Sequence, residues 1–120
     1  MNGVSFVADT NFLIDIHEGK PKVEPFLDGI AIVSVISEIE LLGWYKIGDK
    51  EKSALRSLLD DCVIFELTSE IRKVAINLRQ QKQIKTPDAI IAATAIHLQL
   101  PLVSSDKGLK NIPGIELILL

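Results

Sequence analysis

Four acidic residues carry the chemistry this sequence could support: Asp9, Glu40, Asp88 and Asp106. Asp9 ends the apolar run Phe6-Val7-Ala8, and Asp106 closely follows Leu102-Val103-Ser104. Asp88 opens the small-residue stretch Asp88-Ala89-Ile90-Ile91-Ala92-Ala93-Thr94-Ala95. Glu40 lies in the first turns of an apolar helical segment. Carboxylates gathered in one place repel and raise one another's pKa, so a built cluster usually hosts a cation. Oxygen donors with no thiolate and no histidine pair suit Mg2+ or Mn2+ rather than zinc. Such an ion activates water and offsets the charge that develops in phosphodiester hydrolysis.

Each acid also has a structural role open to it. Asp9-Thr10-Asn11 could be the N-cap of a first helix. Ser37-Glu38-Ile39-Glu40 fits a capping box, in which Glu40 only ties back a helix terminus. Asp88 could merely complement a helix dipole, and Asp106-Lys107-Gly108 could be an ordinary turn. Glu38 competes with Glu40: two residues apart on a helix, they point about 200° from each other. Only one can face a site, and helix periodicity does not choose between them.

The elements that must position these residues alternate. Ser5–Ala8 reads as a strand, followed by a helix over Asn11–His17 that Gly19 stops. Pro21 and Pro25 bracket a helical turn around Lys22–Leu27, and Ile30–Val35 reads as a strand buried on both faces. Helices are expected from about Ser37 to Lys46 and from Lys50 to Leu59, then a strand at Val63–Leu67. Thr68 or Ser69 caps a helix through Gln81, with Arg72, Lys73, Arg79 and Gln80 outward. Thr86-Pro87-Asp88 starts a helix to about Leu98, with Thr86 as the capping hydroxyl. Strands at Pro101–Ser104 and Ile115–Leu119 complete the pattern. The rhythm predicts an α/β fold: a three-layer sandwich around a mainly parallel sheet of about five strands. Chemistry in such folds gathers beyond the carboxyl ends of the strands. All four acids fall there, or at the start of a helix that begins there.

The chain of 120 residues, 48% hydrophobic and 24% charged, has room for one domain spanning residues 1–120. Its one cysteine, Cys62, excludes an intramolecular disulfide and a Cys-rich zinc module, and reads as a small buried hydrophobe in a reducing compartment. Apolar runs are short, so no membrane span is expected, and the N-terminus lacks the basic start of a secretory signal. The expected location is cytoplasmic. His17 and His97 suit no zinc motif in their spacing. A net charge of −3 argues against bulk nucleic-acid binding, but setting the four acids aside leaves +1. Arg79, Lys82, Lys85, Lys107 and Lys110 flank the later motifs and could contact phosphates. Trp44 and Tyr45 could stack on bases, although packing in the core or between subunits accounts for them more simply.

Four segments together resemble the PIN-domain family, and within it the small prokaryotic VapC-type ribonuclease toxins. They are Val7–Asp15 (V-A-D-T-N-F-L-I-D), Val35–Gly43 (V-I-S-E-I-E-L-L-G), Thr86–Ala95 (T-P-D-A-I-I-A-A-T-A) and Leu102–Lys107 (L-V-S-S-D-K). The resemblance covers nearly the whole chain. It implies that Asp9, Glu40, Asp88 and Asp106 form an acidic catalytic and metal-binding quartet for Mg2+ or Mn2+, with Glu40 favoured over Glu38. It implies that Thr10 and Asn11 support Asp9, and that Ser104 stands where the family often has threonine. The late motif departs from the family pattern: it runs Asp106-Lys107-Gly108-Leu109, where a second aspartate and a phenylalanine are common. Asp106 and a second metal ion are therefore the least secure implications. The implied activity is metal-dependent hydrolysis of single-stranded RNA or an exposed RNA loop. The implied partners are a small antitoxin protein and a second copy in a homodimer, with no membrane.

Other classes fit less well. A signalling receiver domain needs an acidic pair after its first strand, where Asp9 stands alone, and Asp60-Asp61 precede the third strand. A haloacid-dehalogenase phosphatase needs D-x-D where this chain has Asp9-Thr10-Asn11. A catalytically inactive PIN-like interaction module remains the alternative, with the incomplete late motif as its support.

Overall fold

A computed structural model describes residues 3–120. Strand β1 (Ser5–Ala8) leads into helix α1 (Thr10–His17), which Gly19 terminates at φ +71°. That left-handed conformation is one glycine adopts at little cost. A 3-10 turn over Pro21–Phe26 precedes β2 (Ile30–Ser34) and α2 (Val35–Leu42). Then come α3 (Asp49–Asp60), β3 (Val63–Phe65), α4 (Ser69–Gln81), α5 (Thr86–Leu98), β4 (Leu102–Ser104), a 3-10 turn (Lys107–Asn111) and β5 (Leu117–Leu119). The strands form one sheet in the order β3-β2-β1-β4-β5, and every pairing is parallel.

Parallel strands present side chains to both faces, and both faces are covered. Phe6 and Ala8 of β1 and Val103 of β4 pack with Phe12, Leu13, Phe26, Leu55 and Leu59 beneath α1 and α3. The rings of Phe6, Phe12 and Phe26 meet edge to face with centroids 5.6–5.7 Å apart. Val7 and Leu102 point the other way, into a cluster with Ile71, Leu78, Ala89 and Ala92 of α4 and α5. Six residues of α5 between Ala89 and Ala95 are buried, so its run of alanines is what lets it lie close against the sheet.

Several boundaries differ from expectation for local reasons. Helix α2 begins at Val35 because Ser34, not Ser37, is its N-cap, accepting a hydrogen bond from the Ile36 amide at 3.2 Å. This removes the capping box expected at Ser37 and Glu40, and α2 stops at Leu42 before Gly43 rather than at Lys46. At α5 the N-cap position is Lys85, with Thr86 and Pro87 inside the first turn, so Thr86 is not the capping hydroxyl. Strand β2 is buried only toward its end, and Ile30 is exposed. Trp44 and Tyr45 lie outside the core, 48% and 84% exposed, which rules out core packing for them. Cys62 is half-buried against the α3 side, where burial pushes its thiol up to about 11 and Asp61 adds to the shift.

Candidate functional site

The strand order reverses direction between β1 and β4, where an α/β sheet opens a crevice at its carboxyl edge. Asp9 sits at that edge, 4% exposed, between β1 and α1. Its Oδ1 accepts the Phe12 amide at 2.8 Å, so Asp9 does cap α1; its Oδ2 accepts the Ser104 hydroxyl from the end of β4. The Ser104 oxygen in turn accepts the Asp106 amide at 2.9 Å. One buried hydroxyl thus links the ends of β1 and β4 and the loop that carries Asp106. Burial pushes the Asp9 carboxyl up to about 6; Ser104 and the Phe12 amide work against that, while Asp106 and Asp88 reinforce it.

Asp88 lies in the first turn of α5 and is raised first by burial, then by the Asp106 and Glu40 carboxylates, with Lys85 opposing. Asp106 thus acts on both Asp9 and Asp88, and Glu40 acts on Asp88. Asp106 caps the 3-10 turn after β4, its Oδ1 accepting the Gly108 amide at 2.8 Å. A Cβ at position 108 would sit 3.1 Å from that oxygen, a tight contact that the Asp106 carboxylate would have to relieve by a small shift. Glu40 accepts the Thr10 hydroxyl at 2.7 Å, and Thr10 lies 2.9 Å from the Ser37 hydroxyl. A threonine has one proton to give; spent on Glu40, it leaves Ser37 to donate to Thr10. Thr10 therefore supports Glu40 rather than Asp9, and Asn11 is exposed. Glu38 turns the other way, to Arg56 of α3 at 3.0 Å.

The donor set fits a hard divalent ion: a buried carboxylate whose ionisation is disfavoured by burial and like charge, with carboxylates beside it and no sulfur or imidazole. The side chains as arranged do not close on one point. Among the described residues no three His, Cys, Asp or Glu side chains stand together as a ready-made metal cage. Glu40 accepts from Thr10 through Oε1 and Asp106 from Gly108 through Oδ1, which leaves the second oxygen of each for a cation.

One polar cluster carried no sequence signal strong enough to single it out. Asp15, 5% exposed on α1, accepts the Ser105 hydroxyl at 2.8 Å and pairs with Lys20 at 3.3 Å and Lys22 at 3.4 Å. Burial opposes its ionisation, but Ser105 and the two ammoniums outweigh that and hold its carboxyl below the usual range. It ties α1 to the residue between Ser104 and Asp106. The one hint was an acid three residues after Phe12 on the buried face of an apolar helix.

Two hollows flank the acidic edge. A groove of about 320 Å3 runs between α1, α2 and α3, with Glu18, Glu40 and Glu51 around Ile14, Trp44 and Leu55. On the other side a cavity of about 290 Å3 is bordered by Asp88 and Asp106, with Gln83, Ile84, Lys85 and Gly108 around it. A further hollow of about 570 Å3 lies on α4 and the start of α5 and touches none of the four acids. Arg79 does not project freely beside it: its Nε donates to the Ile84 carbonyl at 3.0 Å. No helix among the described residues is long and apolar enough to cross a membrane.

The family model of the PIN domain matches residues 6–115. A toxin–antitoxin complex from Klebsiella pneumoniae contains a chain 30% identical to this one, with a TM-score of 0.78 over 92% of this chain and 94% of that one. VapBC2 from Rickettsia felis, solved with a DNA fragment from its promoter, matches at 21% identity and TM-score 0.82 over 97% and 98%. DNA-bound VapBC from Salmonella typhimurium matches at 19% identity and TM-score 0.83 over 96% and 97%. No curated protein sequence matches the chain.

Proposed function

The chain belongs to the PIN domain family, and on that premise we propose that it is a divalent-metal-dependent endoribonuclease, the VapC-type toxin of a toxin–antitoxin pair. The observation that carries this reading is the buried Asp9 carboxylate at the carboxyl edge of the sheet, held by the Phe12 amide and by the Ser104 hydroxyl that also holds the Asp106 loop. Asp9, Glu40, Asp88 and Asp106 are the catalytic and metal-binding residues in this reading. An Mg2+ or Mn2+ ion among them supplies a lowered pKa for water and a counter-charge for phosphate.

The chain's own groups do the rest. Ser104 holds Asp9 and the Asp106 loop in register, and the Phe12 amide fixes the Asp9 rotamer. The Thr10 hydroxyl keeps Glu40 extended toward the acidic edge. Asp88 accepts no hydrogen bond from the described residues, so of the four it is the one most available to take a proton from a nucleophile. Lys85, beside Asp88, and the exposed Lys82, Lys107 and Lys110 are suited to the phosphates of single-stranded RNA.

One matched structure is a toxin–antitoxin complex and two others are DNA-bound VapBC complexes. A small antitoxin is the partner we assign to this chain, and we assign it a homodimer in the cytoplasm as its working form. One observation favours the alternative of a non-catalytic PIN-like interaction module: no ready-made cage stands among the described acids. Calorimetric titration with Mn2+ separates the two. Saturable binding, RNA cleavage abolished by chelation, and loss of both in Asp9→Asn support the nuclease; no heat at high protein concentration supports the module.

A further inference from the structure

We propose that the cavity of about 290 Å3 between residues 83–88 and residues 106–112 is a subsite for one unpaired nucleotide of the substrate, next to the phosphate that is cut. The inference rests on the ribonuclease reading and adds to it where the strand runs and where base preference arises. Three observations carry it.

The first is position. Asp88 and Asp106 both border the cavity, so anything seated in it adjoins the acidic edge. The second is composition. Ile84 is half-buried and gives the lining an apolar side chain, backed by the buried Leu109 and Ile112. Gln83 offers an amide that both donates and accepts, which suits a Watson–Crick edge. Unstacked bases of single-stranded RNA are recognised by such a pairing of an apolar surface with edge hydrogen bonds. The volume is close to the lower bound of about 300 Å3 for small-ligand sites, which fits one nucleotide and excludes a duplex.

The third is charge. Lys85 lies at the cavity and acts on Asp88, and Lys82, Lys107 and Lys110 are exposed chain neighbours of its lining. None of these lysines is in an ion pair among the described residues, whereas Lys20 and Lys22 are committed to Asp15. The groove on the opposite side carries Glu18, Glu40 and Glu51 and repels a phosphate chain. A strand crossing the acidic edge therefore leaves over the lysines, with one base turned into the cavity and Trp44 off its path.

The test begins without metal. Labelled protein in chelator is titrated with each of the four 5′-mononucleotides while backbone amide shifts are followed. Saturable shifts at Gln83–Lys85 and Gly108–Leu109, larger for one base and lost in Gln83→Ala, are expected; shifts centred on Trp44, or none that saturate, overturn the subsite. A randomised single-stranded RNA is then cut with Mn2+ and the ends sequenced. Wild type and Lys52→Ala, on α3, should share a bias at one nucleotide beside the cut, and Gln83→Ala should flatten it. Lys85→Ala should raise KM about threefold to tenfold and reduce the salt slope by about 0.7. An unchanged bias in Gln83→Ala overturns the subsite. A wild type that cuts nothing overturns the ribonuclease reading, and the nucleotide titration still decides whether the cavity binds.

Discussion

Replacing Asp9 by asparagine should stabilise the metal-free protein. The buried carboxyl titrates at about 6 instead of the ordinary 3.8, so folding at neutral pH forces an unfavourable ionisation. That gap corresponds to about 3 kcal/mol at pH 7. Asparagine keeps the Oδ1 that accepts the Phe12 amide, so the cap on α1 survives. It replaces the oxygen that accepts from Ser104, whose hydroxyl proton then lacks a partner, at about 1 kcal/mol. The net gain is about 2 kcal/mol, or roughly 5–10 °C in Tm for a domain of this size. The sign has a pH signature. A carboxyl raised in the folded state contributes stability that is complete below the unfolded value and lost as pH climbs through about 6. At pH 4 the ionisation cost shrinks to about 0.5 kcal/mol, and the advantage of the variant should vanish. Thermal unfolding of both proteins in chelator, at pH 4 and pH 7, reads this directly. A variant less stable than wild type at pH 7, or a difference that ignores pH, would refute the claim that Asp9 is held ionised against its surroundings.

Three further outcomes follow from the same geometry. Mn2+ at 10–100 times its Kd should stabilise wild type by about 1.4–2.7 kcal/mol at pH 7 and leave the Tm of Asp9→Asn unmoved, as read by calorimetry. Glu40→Gln should lower RNA cleavage by roughly a hundredfold or more, while Glu38→Gln, which loses only an exposed pair with Arg56, should keep it and cost under about 1 kcal/mol in urea unfolding. Asp15→Ala should cost about 1–2 kcal/mol, because it leaves the Ser105 hydroxyl without its acceptor, while the exposed Lys20 and Lys22 ammoniums return to water. Since the Asp15 carboxyl is depressed by folding, its contribution is present above the ordinary carboxylate value and lost as pH falls below it. The deficit of Asp15→Ala should therefore narrow in acid, as chemical unfolding at pH 7 and pH 3 would record.

What the sequence disclosed, and what it hid, divides by the range of the interactions involved. Strand β1 and the position of Asp9 behind it were readable because an apolar run followed by a capping acid is a local pattern. The parallel sheet was readable from the alternation of such runs with helices. The choice between Glu38 and Glu40 came only from the family resemblance and not from helix periodicity, because their partners lie on other elements: Arg56 on α3 for one, Thr10 on α1 for the other. The same holds for Ser37, which looks like a helix start and is instead a buried hydroxyl against Thr10. Asp15 escaped for the converse reason, that an acid on an amphipathic helix looks solvated until the lysines after Gly19 fold back over it.

The bond between Ser104 and Asp9 joins residues 95 positions apart, and the strand that carries Ser104 is made long after β1. During translation, β1 and α1 emerge long before β4 can slot in beside them. Until it does, Asp9 has neither the hydroxyl that orients it nor the neighbour Asp106. On the proposed nuclease reading, activity waits for β4 to be made and to slot in beside β1, so the order of synthesis itself delays its onset.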